Sequence, residues 1–263
     1  MQLRINLAHF LIELGAFFQS LPVVVMRPDD LIEFSRQNYA RPHDVEGWAE
    51  DGLVDSGLSA DELDLLSAVH EKTGDLLLLG VGGGREAVPL ARMGFRVTGV
   101  DYVIKMVDRA KENAARRGVQ FEGIVQEISK LDVTSNTYHV VWLSRAMYSC
   151  VPTRERRVEM VRRIASSLKS GGFFLCQFHW DPRYQLSGKG RFIRQFIAAC
   201  TLGNTAYEEG DILWGNIEFV HIFTSEDDVR SELEEGGLSV TQIKTDLNSI
   251  RGGAICIKNM KTS

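Results

Sequence analysis

The stretch LLLLGVGGGREA, residues 76–87, decides how the rest of the chain is read. An unbroken leucine run has the character of a strand buried on both faces. Four glycines follow within five positions, Gly80, Gly82, Gly83 and Gly84. Glycine loses more backbone freedom on folding than any other residue, so this cluster marks a place where bare backbone approaches something closely. A strand, a glycine turn and a helix start together turn free N–H groups toward a polar or anionic ligand.

Outward from this loop the pattern is regular. Apolar, β-branched-rich runs end near Gly80, Asp101 (FRVTGVD), Val125 (VQFEGIV), Ser144 (YHVVWLS) and His179 (GFFLCQFH), with helix-like stretches over 85–93, 104–117 and 153–169 between them. That alternation predicts a doubly wound, Rossmann-like α/β fold with helices on both faces of the sheet. The rhythm breaks over 181–222, an aromatic- and glycine-rich insertion expected to cover one edge of the sheet. A helix through SEDDVRSELEEGG, a strand LSVTQI and a strand GGAICIK after a turn-prone DLNSIRGG complete a seven-stranded, mostly parallel sheet with an antiparallel last strand. Residues 1–73 read as a helical N-terminal cap, with helix starts at Asp29 or Asp30 and at the capping box of Ser59 and Glu62. Residues 74–263 form the main domain.

Composition narrows the function. With 263 residues, 44% hydrophobic and 25% charged, the chain can bury a full core, and a net charge of −5 offers no footprint for a phosphate backbone, so no nucleic-acid partner is expected. Cys150, Cys176, Cys200 and Cys256 form no CxxC pair, which argues against zinc and fits buried thiols in a reducing, cytoplasmic setting. The apolar segment LAHFLIELGAFFQSLPVVV is broken by His9, Glu13 and Gln19 and is read as neither signal peptide nor membrane span. Leu3, Leu7, Phe10, Leu11, Leu14, Phe17, Phe18 and Leu21 recur at helical spacing, which predicts an amphipathic helix packed on the core or on a second copy in a homodimer. Its polar side lacks the Lys and Arg of a membrane-surface helix. The run RERRVEMVRR from Arg154 reads as the solvated face of a helix.

An acidic residue ending the second strand, Asp101, can take both hydroxyls of a ribose, so the loop suits an adenosine-bearing cofactor. Two chemistries share this layout, nicotinamide-dependent hydride transfer and methyl transfer from S-adenosylmethionine, and Gly82, Gly84 and Ala87 also satisfy the GxGxxA pattern of NAD-binding loops.

The longer stretch LLLLGVGGGREAVPLARMGFRVTGVDYVIKMVDRAKENAARRG resembles the first two motifs of class I S-adenosylmethionine-dependent methyltransferases. VQEISKLDVTSNTYHVVWLSRAMYSCVP is similar to that family's adenine-side and fourth-strand motifs, and LKSGGFFLCQF to its fifth strand after a Gly-Gly turn. The resemblance implies that Gly80, Gly82 and Gly84 lie against the methionine part of the cofactor and that Asp101 binds the ribose beside Tyr102. It further implies that Glu127 and the Ile128 N–H meet the adenine, while Ser144 and Arg145 line the methionine tail. Three positions depart from the family. Leu78 stands where an acid is usual two places before the first glycine, so that contact is missing or supplied elsewhere. Ser149 and Cys150 replace paired histidines, and His139 replaces a frequent aspartate and reads as an exposed residue at a strand start.

The resemblance implies an enzyme that moves an activated methyl group to a small-molecule acceptor, with oxygen expected and nitrogen or carbon open. A hydroxyl acceptor is helped by a base, and histidine is the usual one near neutral pH. His179, ending the fifth strand, and His221, inside the insertion, are the candidates. Tyr148, Trp180, Tyr184 and Trp214 are expected to wall the acceptor pocket. No aspartate cluster suggests a metal, so metal-independent transfer is expected. The missing acid at Leu78 keeps a non-catalytic, cofactor-binding regulatory protein as the alternative, with an NAD-dependent dehydrogenase third.

Overall fold

The computed structural model describes residues 2–70, 73–184 and 188–259. The first part of the chain is helical: α1 (Gln2–Ser20), α2 (Pro22–Val25), α3 (Pro28–Tyr39), α4 (Pro42–Ala49), α5 (Asp51–Asp55) and α6 (Ala60–Ser67). Strands and helices then alternate as β1 (Gly74–Leu79), α7 (Ala87–Arg92), β2 (Phe95–Asp101), α8 (Ile104–Arg116), β3 (Phe121–Val125), β4 (Tyr138–Leu143), α9 (Arg154–Ser167) and β5 (Leu168–His179). The insertion supplies α10 (Gly188–Thr201) and a hairpin of β6 (Asp211–Trp214) and β7 (Glu218–His221); residues 185–187 of it lie outside the described residues. The chain returns to the sheet through α11 (Glu226–Glu235), β8 (Ser239–Asp246) and β9 (Arg251–Ile257).

The seven strands lie in the order β3-β2-β1-β4-β5-β9-β8, parallel from β3 to β5. The last strand, β9, slots antiparallel between β5 and β8. Successive side chains on a strand point to opposite faces, and the leucine run feeds two cores accordingly. Leu77 and Leu79, with Val141, Leu143 and Phe174, pack under α9 and α11. Leu76 and Leu78, with Val140, Trp142 and Leu175, pack under α6, α7 and α8. All four leucines are fully buried. Each removes an apolar side chain from water, worth about 1.5–3 kcal/mol, and this two-sided burial is why the run contains no polar alternation.

The N-terminal helices and the insertion between β5 and β8 pack on one another over the carboxyl edge of the sheet. Val23, Val24 and Leu31 share a small core with Ala198 of α10 and Phe219 of β7. Three polar ties reinforce it. Asn38 Nδ2 donates to the Ile217 carbonyl at 2.8 Å, Tyr39 Oη to Glu218 Oε2 at 2.7 Å, and the Phe219 N–H to Ser35 Oγ at 3.0 Å.

Four local expectations are corrected. α1 does not bury a stripe on the core: every described side chain from Gln2 to Gly15 is exposed. Gln2–Val25 is long and apolar enough to cross a membrane by length and composition alone, which leaves the reading against a span untested. Arg157, inside the run read as solvated, is fully buried, since Glu232 at 2.8 Å and Glu208 at 2.9 Å neutralise it. Only Cys176 and Cys256 are buried thiols; Cys150 is half-buried and Cys200 lies exposed on α10. His139 is half-buried rather than exposed, its Nδ1 accepting from the Asp75 N–H at 3.1 Å while Lys169 Nζ sits 3.1 Å from Nε2.

Candidate active site

The glycines after β1 do different work. Gly80, Gly82 and Gly84 have φ of +78°, +50° and +96°, the left-handed region where other residues are strained. A Cβ on Gly80 would fall 1.9 Å from Met147 Sδ, and one on Gly83 2.2 Å from the Trp48 carbonyl oxygen of α4. A Cβ on Gly82 would meet nothing within 4 Å, because that residue faces an open cleft. Asp101 ties the loop down: Oδ2 accepts from the Gly82 N–H at 3.0 Å and Oδ1 from the Val103 N–H at 2.9 Å. Burial pushes its carboxyl up to about 6, against the pull of those N–H donors.

Beside the loop runs a buried polar chain. Arg85 Nη1 donates to Glu62 Oε2 at 2.9 Å, Arg85 also pairs with Glu86, and Ser144 Oγ donates to Glu86. It links α6, the loop and the end of β4, and Arg85, Glu86 and Ser144 line the cleft. Arg145, next in sequence, holds φ of +45° and stacks its guanidinium 5.0 Å over the Trp48 ring. Its Nε is buried with no hydrogen-bond partner, and burial beside Arg85 lowers its pKa.

Further along the cleft, Tyr102, Met106 and Ile128 give an apolar wall, with Glu127 at its edge accepting from the Ser129 N–H at 2.7 Å and Oγ at 2.8 Å. The N-terminal helices add Tyr39 and Trp48, which pack in one cluster with Tyr102 and Met106, and the insertion adds Trp214 and Glu218, beside Cys150 and His179. His179 stacks on Trp214 with ring centroids 5.0 Å apart. Burial and the nearby Arg251 hold its imidazole down to about 4. Burial pushes the Glu218 carboxyl up, while Tyr39 Oη and Cys150 Sγ both donate to its Oε2, the latter at 3.8 Å.

Comparison with known proteins points the same way. Residues 76–172 match the model of the methyltransferase domain. That segment, just over a third of the chain, carries the likeness to methyltransferases. Over 100 residues it is 37% identical to a ubiquinone biosynthesis O-methyltransferase of Paramagnetospirillum magneticum, a match that spans 38% of this chain and 38% of that relative. Two solved S-adenosylmethionine-dependent methyltransferases share the fold. The one from Methanosarcina mazei has a TM-score of 0.60 at 19% identity, covering 78% of this chain and 100% of that one. The one from Clostridium acetobutylicum has a TM-score of 0.60 at 14% identity, covering 83% and 100%.

The residues of the cleft fit S-adenosylmethionine. Gly82 leaves room where a side chain would intrude. Each Asp101 oxygen accepts one backbone N–H and keeps a lone pair for a ribose hydroxyl. Tyr102, Met106 and Ile128 would flank the adenine with Glu127 at its amino edge, and the unpartnered Arg145 Nε points to a missing acceptor near the methionine end. The acid absent at Leu78 has a stand-in. Leu78 is fully buried in the core below the sheet, and Glu86 brings a carboxylate to the cleft from the other side of the loop.

Not every residue expected at the site lines this cleft. Gly80, Gly82, Asp101, Tyr102, Glu127, Ile128, Ser144, Arg145, His179 and Trp214 line the cleft. Gly84 packs instead against Ala110 of α8, 3.4 Å from its absent Cβ. His221 faces inward, its Nδ1 2.8 Å from Asp211 Oδ1 and its ring against Phe223. Burial holds the His221 imidazole down and pushes the Asp211 carboxyl up. Tyr148 is fully buried with its hydroxyl donating to Glu232 Oε2 at 2.9 Å. Trp180 pairs with Phe223 beside the core, and Tyr184 sits half-buried beside Arg194. Trp180 follows His179 directly at the end of β5, so strand alternation turns it to the other face, while Tyr148 lies in the short turn after β4 and faces the core.

The cleft also uses residues that the sequence did not single out: Tyr39, Trp48, Glu86, Met147, Glu218 and Arg251. Three come from the cover, where no strand-helix rhythm gives register. One signal was available: Glu86 is the acid nearest the glycine turn in sequence.

Proposed function

We propose that this chain transfers the methyl group of S-adenosylmethionine to a small-molecule acceptor, at a hydroxyl oxygen and without a metal. The observation that carries the reading is one continuous cleft. The glycine loop, Asp101 and Glu127 share its lining with Tyr39, Trp214, His179 and Glu218. The name of the Paramagnetospirillum relative favours oxygen as the acceptor atom. Among the described residues one grouping has metal-ligand character, Glu208, Asp211 and His221. It lies outside the cleft lining, and its Glu208 is engaged by Arg157.

The bound cofactor supplies an activated sulfonium methyl, so the chain's tasks are to align the acceptor, exclude water and take a proton. Trp214, Trp48 and Tyr39 wall the cleft and exclude water. His179 is unprotonated at neutral pH and free to accept the hydroxyl proton. A base held that low is weak, so the acceptor hydroxyl has itself to be acidic, as in a phenol. Glu218, whose carboxyl is pushed up by burial, orients that hydroxyl from the facing hairpin and is the second base.

Incubation with methyl-labelled S-adenosylmethionine and fractionated small-molecule extracts tests the reading. Label in a recovered small molecule, lost in His179→Asn or Glu218→Gln and retained in chelator, is the expected result. Tight binding of S-adenosylhomocysteine with no label transferred to any fraction would favour a cofactor-binding regulatory role instead.

A further inference from the structure

Arg251 brings to the cleft a charge that nothing in it neutralises. It opens β9 directly opposite His179, the last residue of β5, in the antiparallel register. Residues facing each other in such a pair project on the same side of the sheet, with Cβ atoms about 5 Å apart. Both side chains accordingly line the cleft. The start of β9 is pinned there, because the Ile250 carbonyl accepts the Trp180 N–H at 3.2 Å just beyond His179.

Among the described residues, no acid of the cleft is paired with Arg251. Glu86 is taken by Arg85 and Ser144, Asp101 by the Gly82 and Val103 N–H groups, Glu127 by Ser129, and Glu218 by Tyr39 and Cys150. Arg145 lines the same cleft without an acid of its own, and its charge and that of Arg251 repel. Two unpaired guanidinium groups on one cleft call for anions from the ligands. The methionine carboxylate of the cofactor answers Arg145, whose buried Nε has no partner.

Arg251 is left for the acceptor. It is exposed, and Trp214, stacked on the same His179, is 42% exposed. These two side chains therefore stand at the mouth of the cleft, outside the dry region in which a methyl group moves. An anionic group held at the mouth is a substituent of the acceptor and not its reacting oxygen.

We propose that the acceptor is an aromatic hydroxy acid, its ring against Trp214 and His179 and its carboxylate gripped by Arg251. The inference rests on the methyl transfer to a hydroxyl proposed above. A guanidinium takes a carboxylate through two parallel N–H···O bonds, a match that a neutral phenol lacks. The carboxylate is unchanged by the reaction: the hydroxyl oxygen gains the methyl as the C–S bond breaks toward sulfur, and the hydroxyl proton passes to His179.

The test incubates the full chain with methyl-labelled S-adenosylmethionine and a small-molecule extract, then passes the products over an anion exchanger at pH 7. Label in a retained acid is the expected result. On that acid, once purified, Arg251→Leu should raise KM about tenfold to a hundredfold with kcat within about twofold, and Arg251→Lys should fall between the two. The affinity of Arg251→Leu for S-adenosylhomocysteine and its melting temperature should match the parent's. Label in unretained products alone, whether methylated neutral phenols or methyl esters, would overturn the proposal. So would retention abolished by alkaline phosphatase, which would make the anion a phosphate. A tenfold loss of S-adenosylhomocysteine affinity in the folded Arg251→Leu chain would give the arginine to the cofactor and overturn it as well. Label in no fraction, with S-adenosylhomocysteine still tightly bound, would instead overturn the methyl-transfer reading and this inference with it.

Discussion

The Cβ that Gly83 lacks would fall 2.2 Å from the carbonyl oxygen of Trp48, so the glycine loop and the N-terminal cap touch backbone to backbone. Asn113 Nδ2 joins the two, donating to the Gly83 carbonyl at 2.8 Å and to the Ala49 carbonyl at 3.2 Å. One glycine of the cluster serves the cap, while Gly82 serves the cleft.

These roles separate by substitution. Gly83→Ala forces the cap helix away and is expected to cost about 1–3 kcal/mol of stability through overpacking. Gly82→Ala meets open space, so its cost is the left-handed backbone alone, about 1 kcal/mol, yet its methyl enters the cleft. Thermal melting should rank Gly83→Ala as the less stable, and calorimetry should show Gly82→Ala with the larger loss of S-adenosylhomocysteine binding per kcal/mol of lost stability.

Arg157 holds three parts of the chain together: α9, Glu232 of α11 and Glu208 of the insertion. Arg157→Ala leaves Glu232, 2% exposed, without its cation. Breaking a buried pair from one side costs about 3–5 kcal/mol, and denaturant unfolding should show a loss of that size. A loss under about 1 kcal/mol, the range of exposed pairs, would mean that the pair is open to water in solution.

The sheet was legible because its signal is periodic. The leucine run, the glycine turn and Asp101 fix β1, the loop and β2 in register, and the cofactor end of the cleft follows from them. The acceptor end was not legible, because it is assembled by contacts between distant segments. Tyr39 and Glu218 meet across the cap and the insertion, and neither local sequence contains a reason for the other. Arg157 was misread for the same reason. Its neighbours Arg154 and Arg162 are solvated, and only the returning Glu232 and Glu208 make burial tolerable.

His179 gives a pH signature. Its imidazole is held at about 4 against an ordinary 6.5, so below pH 6.5 the unfolded chain takes a proton that the folded chain refuses until about pH 4. Stability therefore falls as pH falls through that window. His221 acts in the same sense, while Asp101 and Asp211, pushed up to about 6 and 7, act in the opposite one. The difference between parent and His179→Asn is thus the readout: the variant's melting temperature should decline less steeply between pH 6.5 and 4. Parallel curves would place His179 in contact with water.

The most direct measurement of the account is calorimetric titration of the parent chain and Asp101→Ala with S-adenosylhomocysteine, with NAD as the comparison ligand. Asp101 accepts the Gly82 N–H and lines the cleft, so it both shapes the loop and faces the ligand. A charge-assisted hydrogen bond contributes about 1.5–3 kcal/mol, so its removal should weaken binding roughly tenfold to a hundredfold. The account predicts that the parent binds S-adenosylhomocysteine and not NAD, and that Asp101→Ala, still folded, shows that loss. Binding of NAD in preference, or unchanged S-adenosylhomocysteine affinity in a folded Asp101→Ala chain, would contradict it.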